Sequence, residues 1–321
     1  MAKKHVWDMD FSLRARVAFD LRRTALSHGW HQIPPFAWDD HAGVLALAVA
    51  GPRRTVRRLE VRQPRRRPGR ALRLRWLGTG QAPPDGAESE GRALARRVLN
   101  LDVDLGPFYA LCHRRKALDW VPAAGAGRVL RGPTVFSDVV SAICGTNTSW
   151  KMAVRCVHRL ADLAPPDPLG TLRRYPSPAE LARAGVQRLR DHARVGYRAE
   201  YIAQVATDVA EGTLDLDVVL DPRLSGPKLR ALFRGLPGIG PVTARYLAVL
   251  YGRFDGLAVD SLVMKYIGDK YFGGRRATEG EVQGLYEEYG DLRALAYWFE
   301  FLGDVDPVTW RGWASPDNPR Q

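Results

Sequence analysis

The sequence predicts an α+β protein, with a small antiparallel sheet domain over residues 1–104 and an all-α domain over residues 105–321. Three observations predict it. Near the N-terminus, short segments alternate apolar and charged residues with the two-residue period of half-buried strands. From Leu105 onward, apolar residues recur at helical spacing between Pro/Gly turns. Within that second half, Leu236-Pro-Gly-Ile-Gly-Pro-Val-Thr-Ala-Arg245 sets a tight glycine turn between two helical stretches, a hairpin over about 228–252.

In order along the first domain, Ser12 to Ser27 is amphipathic and reads as a helix, and Gly43 to Ala50 reads as a strand. Thr55 to Arg62 and Ala71 to Trp76 read as antiparallel strands. Arg53 to Arg75 holds eleven arginines against one glutamate, and its tip, Pro64 to Arg70, reads as a hairpin loop. Contact with a DNA backbone and a solvated basic edge that resists aggregation both fit this segment. Gly80 to Gly91, rich in Pro, Gly and Asp, reads as a loop. The clearest helices of the second domain are Pro133–Leu160, Ser177–Ala184, Ala199–Glu211, Lys228–Gly235, Val242–Tyr251, Ser261–Tyr271, Glu279–Tyr289 and Leu292–Leu302.

Composition narrows the partner. A net charge of +13 over 321 residues, supplied mostly by arginine, favours a polyanion, with nucleic acid ahead of a membrane surface. The three cysteines, Cys112, Cys144 and Cys156, have no C-x-x-C spacing and cannot supply four ligands, which excludes an all-cysteine iron–sulfur cluster or zinc site. Cys144 and Cys156 lie on apolar helical stretches, as buried thiols in a reducing compartment do. His28, His31, His113, His158 and His192 form no metal-ligand motif, so no cofactor is expected from the composition. The first residues lack a signal-peptide apolar core, and no apolar run reaches membrane-spanning length. A cytoplasmic monomer is expected, associated with the nucleoid if the source is bacterial.

The hairpin carries the chemistry. Gly238 and Gly240 have no side chain, so a phosphate can approach the backbone, and the amides opening the next helix suit an anion. A bare Gly-x-Gly is equally an ordinary αα-hairpin turn. Here the pattern continues through Thr243-Ala and an apolar helix to Ala258-Val259-Asp260. As a whole it resembles the helix-hairpin-helix plus Gly/Pro/Asp signature of the DNA glycosylase superfamily (HhH-GPD), between the 8-oxoguanine DNA glycosylase-like and 3-methyladenine DNA glycosylase II-like groups. Leu101–Leu105 with Phe108-Tyr109, Gly127–Arg131, Phe136–Asn147 and Gly196–Ile202 resemble further segments of that family, so the likeness covers 101 to about 305.

The resemblance implies duplex DNA containing a damaged base as partner. Asp260 would be the catalytic carboxylate, and Gly238, Gly240 and Thr243 would give backbone amides to a phosphate. The carbonyls of Arg234, Leu236 and Ile239 are where such hairpins hold a structural Na or K ion. Tyr197 would fill the gap left by a flipped nucleotide, and Asn147 and Arg198 would read the estranged base. Trp150, Tyr246, Tyr297, Trp298 and Phe301 are candidates for the base pocket, although aromatics at helical spacing are also ordinary core. Asp260 equally fits a plain helix N-cap, and the two roles are compatible.

Departures from the family pattern set the expected activity. Bifunctional members carry a lysine nucleophile where this chain has Val242, so no Schiff base can form there. Met152 replaces an arginine that helps read the opposite cytosine, and Tyr297 replaces a glutamine that reads 8-oxoguanine. The resulting aromatic pocket suits a cationic or electron-poor alkylated purine. The expected protein is a monofunctional glycosylase of a damaged, alkylated purine in base excision repair. The alternatives are an oxidised- or deaminated-purine glycosylase with or without weak lyase activity, for which Lys151 or Lys265 would be the nucleophile, and a non-catalytic DNA-binding protein.

Overall fold

The computed structural model describes residues 5–51, 56–64, 69–164, 170 and 172–305. Its strands are β1 (Val6–Phe19), β2 (Phe36–Asp39), β3 (Val44–Ala50), β4 (Val56–Arg62) and β5 (Gly69–Thr79). The α-helices begin with α1 (Leu21–Ala25), α2 (Ala87–Val98), α3 (Gly106–Cys112), α4 (Trp120–Ala123), α5 (Val135–Gly145) and α6 (Trp150–Ala161). They continue with α7 (Pro178–Arg188), α8 (Arg198–Glu211), α9 (Gly226–Arg234), α10 (Pro241–Leu250), α11 (Ser261–Tyr271), α12 (Glu279–Leu285) and α13 (Arg293–Asp304). The α+β class is as predicted, a sheet followed by helices.

By compactness the chain divides into two units built from non-contiguous segments. The first comprises residues 1–103, 124–218 and 236–238, and the second 104–123, 219–235 and 239–321. Division by element type, at 104/105, and division by compactness therefore differ.

The first unit holds a five-stranded antiparallel sheet in the order β1-β5-β4-β3-β2. Alternation decides its faces: Leu13, Leu72, Leu74, Trp76, Leu59, Val61, Leu45 and Leu47 are buried, while Ser12, Arg14, Arg62, Arg73 and Arg75 are exposed. Helix α2 packs on the sheet through Gly91, where a Cβ would stand 2.7 Å from the Phe11 ring. The buried Arg57 guanidinium pairs with Glu90 of that helix. Helix α5 is buried along nearly its whole length and opens on a capping box between Thr134 and Ser137.

Two expectations are corrected here. Ser12 to Ser27 is not one helix. Its first half completes β1, paired with β5 from Val6↔Thr79 to Arg14↔Ala71, and only Leu21–Ala25 is helical, capped by Asp20 accepting from the Arg23 amide at 2.8 Å. Phe11, Leu13 and Ala15 point one way and Ser12, Arg14 and Arg16 the other, so the two-residue period prevails over the helix propensity of Leu, Arg and Ala. Gly80 to Gly91 is only partly a loop, because α2 begins at Ala87 with Glu88 and Glu90 in its first turn and Arg96 and Arg97 in its last. The strands at Gly43–Ala50, Thr55–Arg62 and Ala71–Trp76 are present, although Arg53, Arg54, Thr55 and Arg65–Arg67 lie outside the described residues.

The second unit packs α3, α4 and α9–α13 around Phe108, Phe233, Leu247, Tyr266, Ile267, Tyr286 and Phe299. Its core contains a buried acid. Glu300 accepts from the Tyr286 hydroxyl at 3.0 Å, from the Tyr271 hydroxyl, and from Lys270 Nζ at 2.7 Å. The same ammonium reaches Asp304 at 2.6 Å. Sharing one cation and two phenols compensates the desolvation of the acid.

His28 makes the first unit sensitive to acid. Its Nε2 lies 2.6 Å from the Leu130 carbonyl, and burial pushes its pKa down from 6.5 to about 3, with the neighbouring His31 pushed down by burial as well. The unfolded chain therefore binds a proton below about pH 6.5 that the folded His28 refuses. Stability is expected to fall as the pH drops from about 6.5 toward 3, by up to about 1.4 kcal/mol per pH unit for this group. Urea unfolding midpoints between pH 7 and pH 4.5 measure it, and His28→Gln should flatten the dependence.

Candidate functional site

The glycine turn between α9 and α10 uses its two glycines differently. Gly238 sits at φ +78, in the left-handed region, and a Cβ there would stand 2.7 Å from the Tyr201 ring. Gly240 has an ordinary extended backbone, φ −85 and ψ 177, and a Cβ there would meet nothing within 4 Å. It is the N-cap of α10, with no side chain to cap the helix and Pro241 in the first turn. Proline has no N–H, so the first-turn donors of α10 are the amides of Val242 and Thr243, at an exposed helix start. Helices α9 and α10 are bound by packing, with the Phe233 and Tyr251 rings 5.7 Å apart.

Asp260 stands at the head of α11 as its N-cap. Its Oδ1 accepts from the Val263 amide at 2.9 Å, and its residue is exposed. This bond uses one of two carboxylate oxygens and fixes the direction of the other. Tyr297 lies within its field: burial, then the Asp260 charge, then Glu300 hold that phenol well above its ordinary pKa.

The aromatic candidates separate. Tyr297 is buried and stacks on Phe301 with centroids 6.2 Å apart, and Tyr266 meets Phe301 edge-on at 4.9 Å. Tyr246 and Trp298 form a second stack at 5.8 Å, half-buried, in the same unit. Trp150 belongs to the first unit, where its indole N–H donates to Gln32 Oε1 at 2.9 Å and its ring lies against Gly29.

The probing candidates come together in the first unit. Asn147, at φ +48, donates from Nδ2 to the Tyr197 hydroxyl at 3.3 Å. That bond, and secondarily the Arg198 charge, lower the Tyr197 pKa. The Arg198 guanidinium stacks 4.8 Å over the Tyr197 ring and donates to the Thr146 and Val195 carbonyls. It therefore holds the two loops in register. Tyr197 itself is 50% exposed. Sequence reasoning missed Tyr201, which packs edge-on against Tyr197 at 6.0 Å and also covers Gly238. The four-residue spacing of the two tyrosines on one helix face was the available signal.

Val242 is half-buried in the first turn of α10, and Met152 is exposed at the start of α6. Among the described residues no group of three His, Cys, Asp or Glu side chains is placed to hold a metal, and no helix is long and apolar enough to cross a membrane. The three cysteines are buried, and burial pushes the Cys112 thiol up to about 12.

The chain joins an N-terminal antiparallel sheet, a glycine-turn helical hairpin and a helix-capping aspartate, and its fold is similar to that of solved DNA glycosylase structures. Three solved structures are similar over nearly the whole chain. One is MBOgg1 in complex with a low affinity DNA ligand, at 22% identity and TM-score 0.67 over 94% of this chain and 98% of that one. The 3-methyladenine DNA glycosylase from Archaeoglobus fulgidus matches at 16% identity and TM-score 0.71, over 91% and 98%. The Clostridium acetobutylicum 8-oxoguanine glycosylase/lyase in its apo-form matches at 17% and 0.68, over 94% and 99%. No family model and no curated protein matches the sequence.

The unequal roles of the two glycines are testable. Gly238→Ala is expected to cost about 1–3 kcal/mol from the left-handed backbone alone, with the Tyr201 contact adding to it. Gly240→Ala, with room for a methyl group but at a helix N-cap, should cost less, about 0.5–1 kcal/mol. Denaturant unfolding of the two variants makes the comparison.

Proposed function

We propose that the protein is a monofunctional DNA glycosylase that hydrolyses the N-glycosidic bond of a damaged, alkylated purine in duplex DNA, acting as a monomer in base excision repair. The observation that carries this reading is the Asp260 carboxylate, held by the Val263 amide and following the glycine hairpin in a glycosylase fold. Breaking the bond builds positive charge on the deoxyribose. A fixed carboxylate stabilises that charge and orients the attacking water.

The remaining residues divide the work. The start of α10, at Gly240, Val242 and Thr243, supports a sequence-independent grip on a phosphate. The backbone carbonyls of Arg234, Leu236 and Ile239 are neutral oxygen donors, the chemistry that a structural monovalent cation would take. Tyr197, exposed and braced by Arg198 and Asn147, is suited to offset the few kcal/mol that extruding a nucleotide costs. Arg198 then acts by positioning Tyr197. The aromatic rings of Tyr246, Trp298, Tyr297 and Phe301 favour a cationic base over one that needs directional hydrogen bonds.

Asp260→Asn tests the chemistry. Asparagine caps a helix as well as aspartate, so the fold should persist. Excision should fall by about 10²–10³ while binding to damaged duplex is retained. Undiminished base release by the variant would remove Asp260 from the reaction.

The Clostridium neighbour is a glycosylase/lyase, and Val242 of this chain has no amine to form a Schiff base. Lys265, one turn into α11 and paired with Asp269 at 3.4 Å, is the amine to watch. Borohydride trapping on damaged duplex is expected to give no covalent DNA adduct. An adduct abolished by Lys265→Ala would make the enzyme bifunctional.

A further inference from the structure

One end of the exposed sheet face in the first unit is basic, and it has no part in the proposed excision. On that face Arg62 of β4 and Arg73 of β5 are directly opposite, and Ser12 of β1 is opposite Arg73. Arg14 and Arg16 continue the same face of β1, and all four arginines are exposed. The acids lie toward the other end, where Asp8 clamps Arg75 at 2.5 and 3.0 Å and Glu60 lies 3.8 Å from Arg75. Arg62 reaches Glu60 only at 3.9 Å. Beyond them Arg58 is half-buried beneath Gly170.

Like charges set directly opposite across a ladder destabilise a sheet. Protection of a sheet edge accounts for Arg14 and Arg16 on β1, one of the two edge strands, and not for Arg62 and Arg73, because β4 and β5 are interior. Solubility does not require one sign either, since the other end of the face mixes both. Asp10 faces Arg75 across the ladder and Glu60 sits beside Arg62, so at this end four exposed guanidinium groups on three neighbouring strands outnumber the acids, as a phosphate backbone requires.

We infer that the Arg14–Arg16–Arg62–Arg73 end of the sheet face is a second, sequence-independent binding surface for duplex DNA. It grips the backbone electrostatically and takes no part in base excision. Such a surface would hold the protein on undamaged DNA between encounters with lesions.

The full-length protein and its Arg14→Gln/Arg62→Gln/Arg73→Gln variant are titrated with undamaged duplex over a salt series. The log K against log salt slope is expected to be shallower in the variant by about 0.9 per lost phosphate contact, up to about 2.7. Circular dichroism reports the fold. An unchanged slope in a folded variant overturns the proposal. Should the triple variant not fold, Arg73→Gln alone should change the slope by about 0.9, and no change there overturns it equally. Phosphatidylserine vesicles form the control: vesicle binding lost in the variant while duplex binding is retained assigns the face to membranes and overturns it. The readout uses no lesion and no base release, so it stands or falls separately from Asp260.

Discussion

The hydrogen bond from the Val263 amide to Asp260 Oδ1 is the constraint on which the site depends. It joins a local requirement of the chain, that a helix start be capped, to a chemical one, that a carboxylate keep a fixed direction. Without the cap, Asp260 would be a solvated side chain sampling several rotamers, and a preorganised charge is worth more to catalysis than a mobile one. The hairpin supplies the complementary half. Gly238 is obliged to be glycine by its backbone and by Tyr201, whereas Gly240 is under no such obligation from the fold. A glycine with open space around it, at a helix start with no side-chain cap, leaves room for the proposed phosphate contact.

The second unit sets its aromatic rings in an unusual electrostatic setting. Burial first, and then the Asp260 and Glu300 charges, hold the Tyr297 phenol well above its ordinary pKa. Glu300 is in turn satisfied by two phenols and Lys270. The stack of Tyr297 on Phe301 presents aromatic faces, the chemistry that the proposed cationic purine would need.

Much of this was legible in the sequence, and the reasons are local. Strands β3, β4 and β5 show in their two-residue alternation, and α9–α11 in their apolar spacing and punctuation by Pro241, Gly238 and Asp260. Turn geometry and helix caps need only near neighbours, so the hairpin and Asp260 could be read directly. β1 could not, because Leu13 to Phe19 has helix-forming composition and is made a strand by pairing with β5 some sixty residues away. Helix α2 was hidden by Gly91, which looks like a breaker and is there to let Phe11 and Trp76 approach. The bond from Arg198 to the Thr146 carbonyl, and the place of Tyr201 over Gly238, are likewise long-range. So is the grouping of residues 124–218 with the sheet.

The central claim is that this chain releases an alkylated purine by hydrolysis alone. It is tested most directly by incubating the protein with duplexes carrying single defined lesions and resolving released base from strand scission. The account predicts release of 7-methylguanine or 3-methyladenine, leaving an intact strand that breaks only on alkali treatment. Release of 8-oxoguanine with concurrent strand scission, and none of the methylated bases, would contradict it.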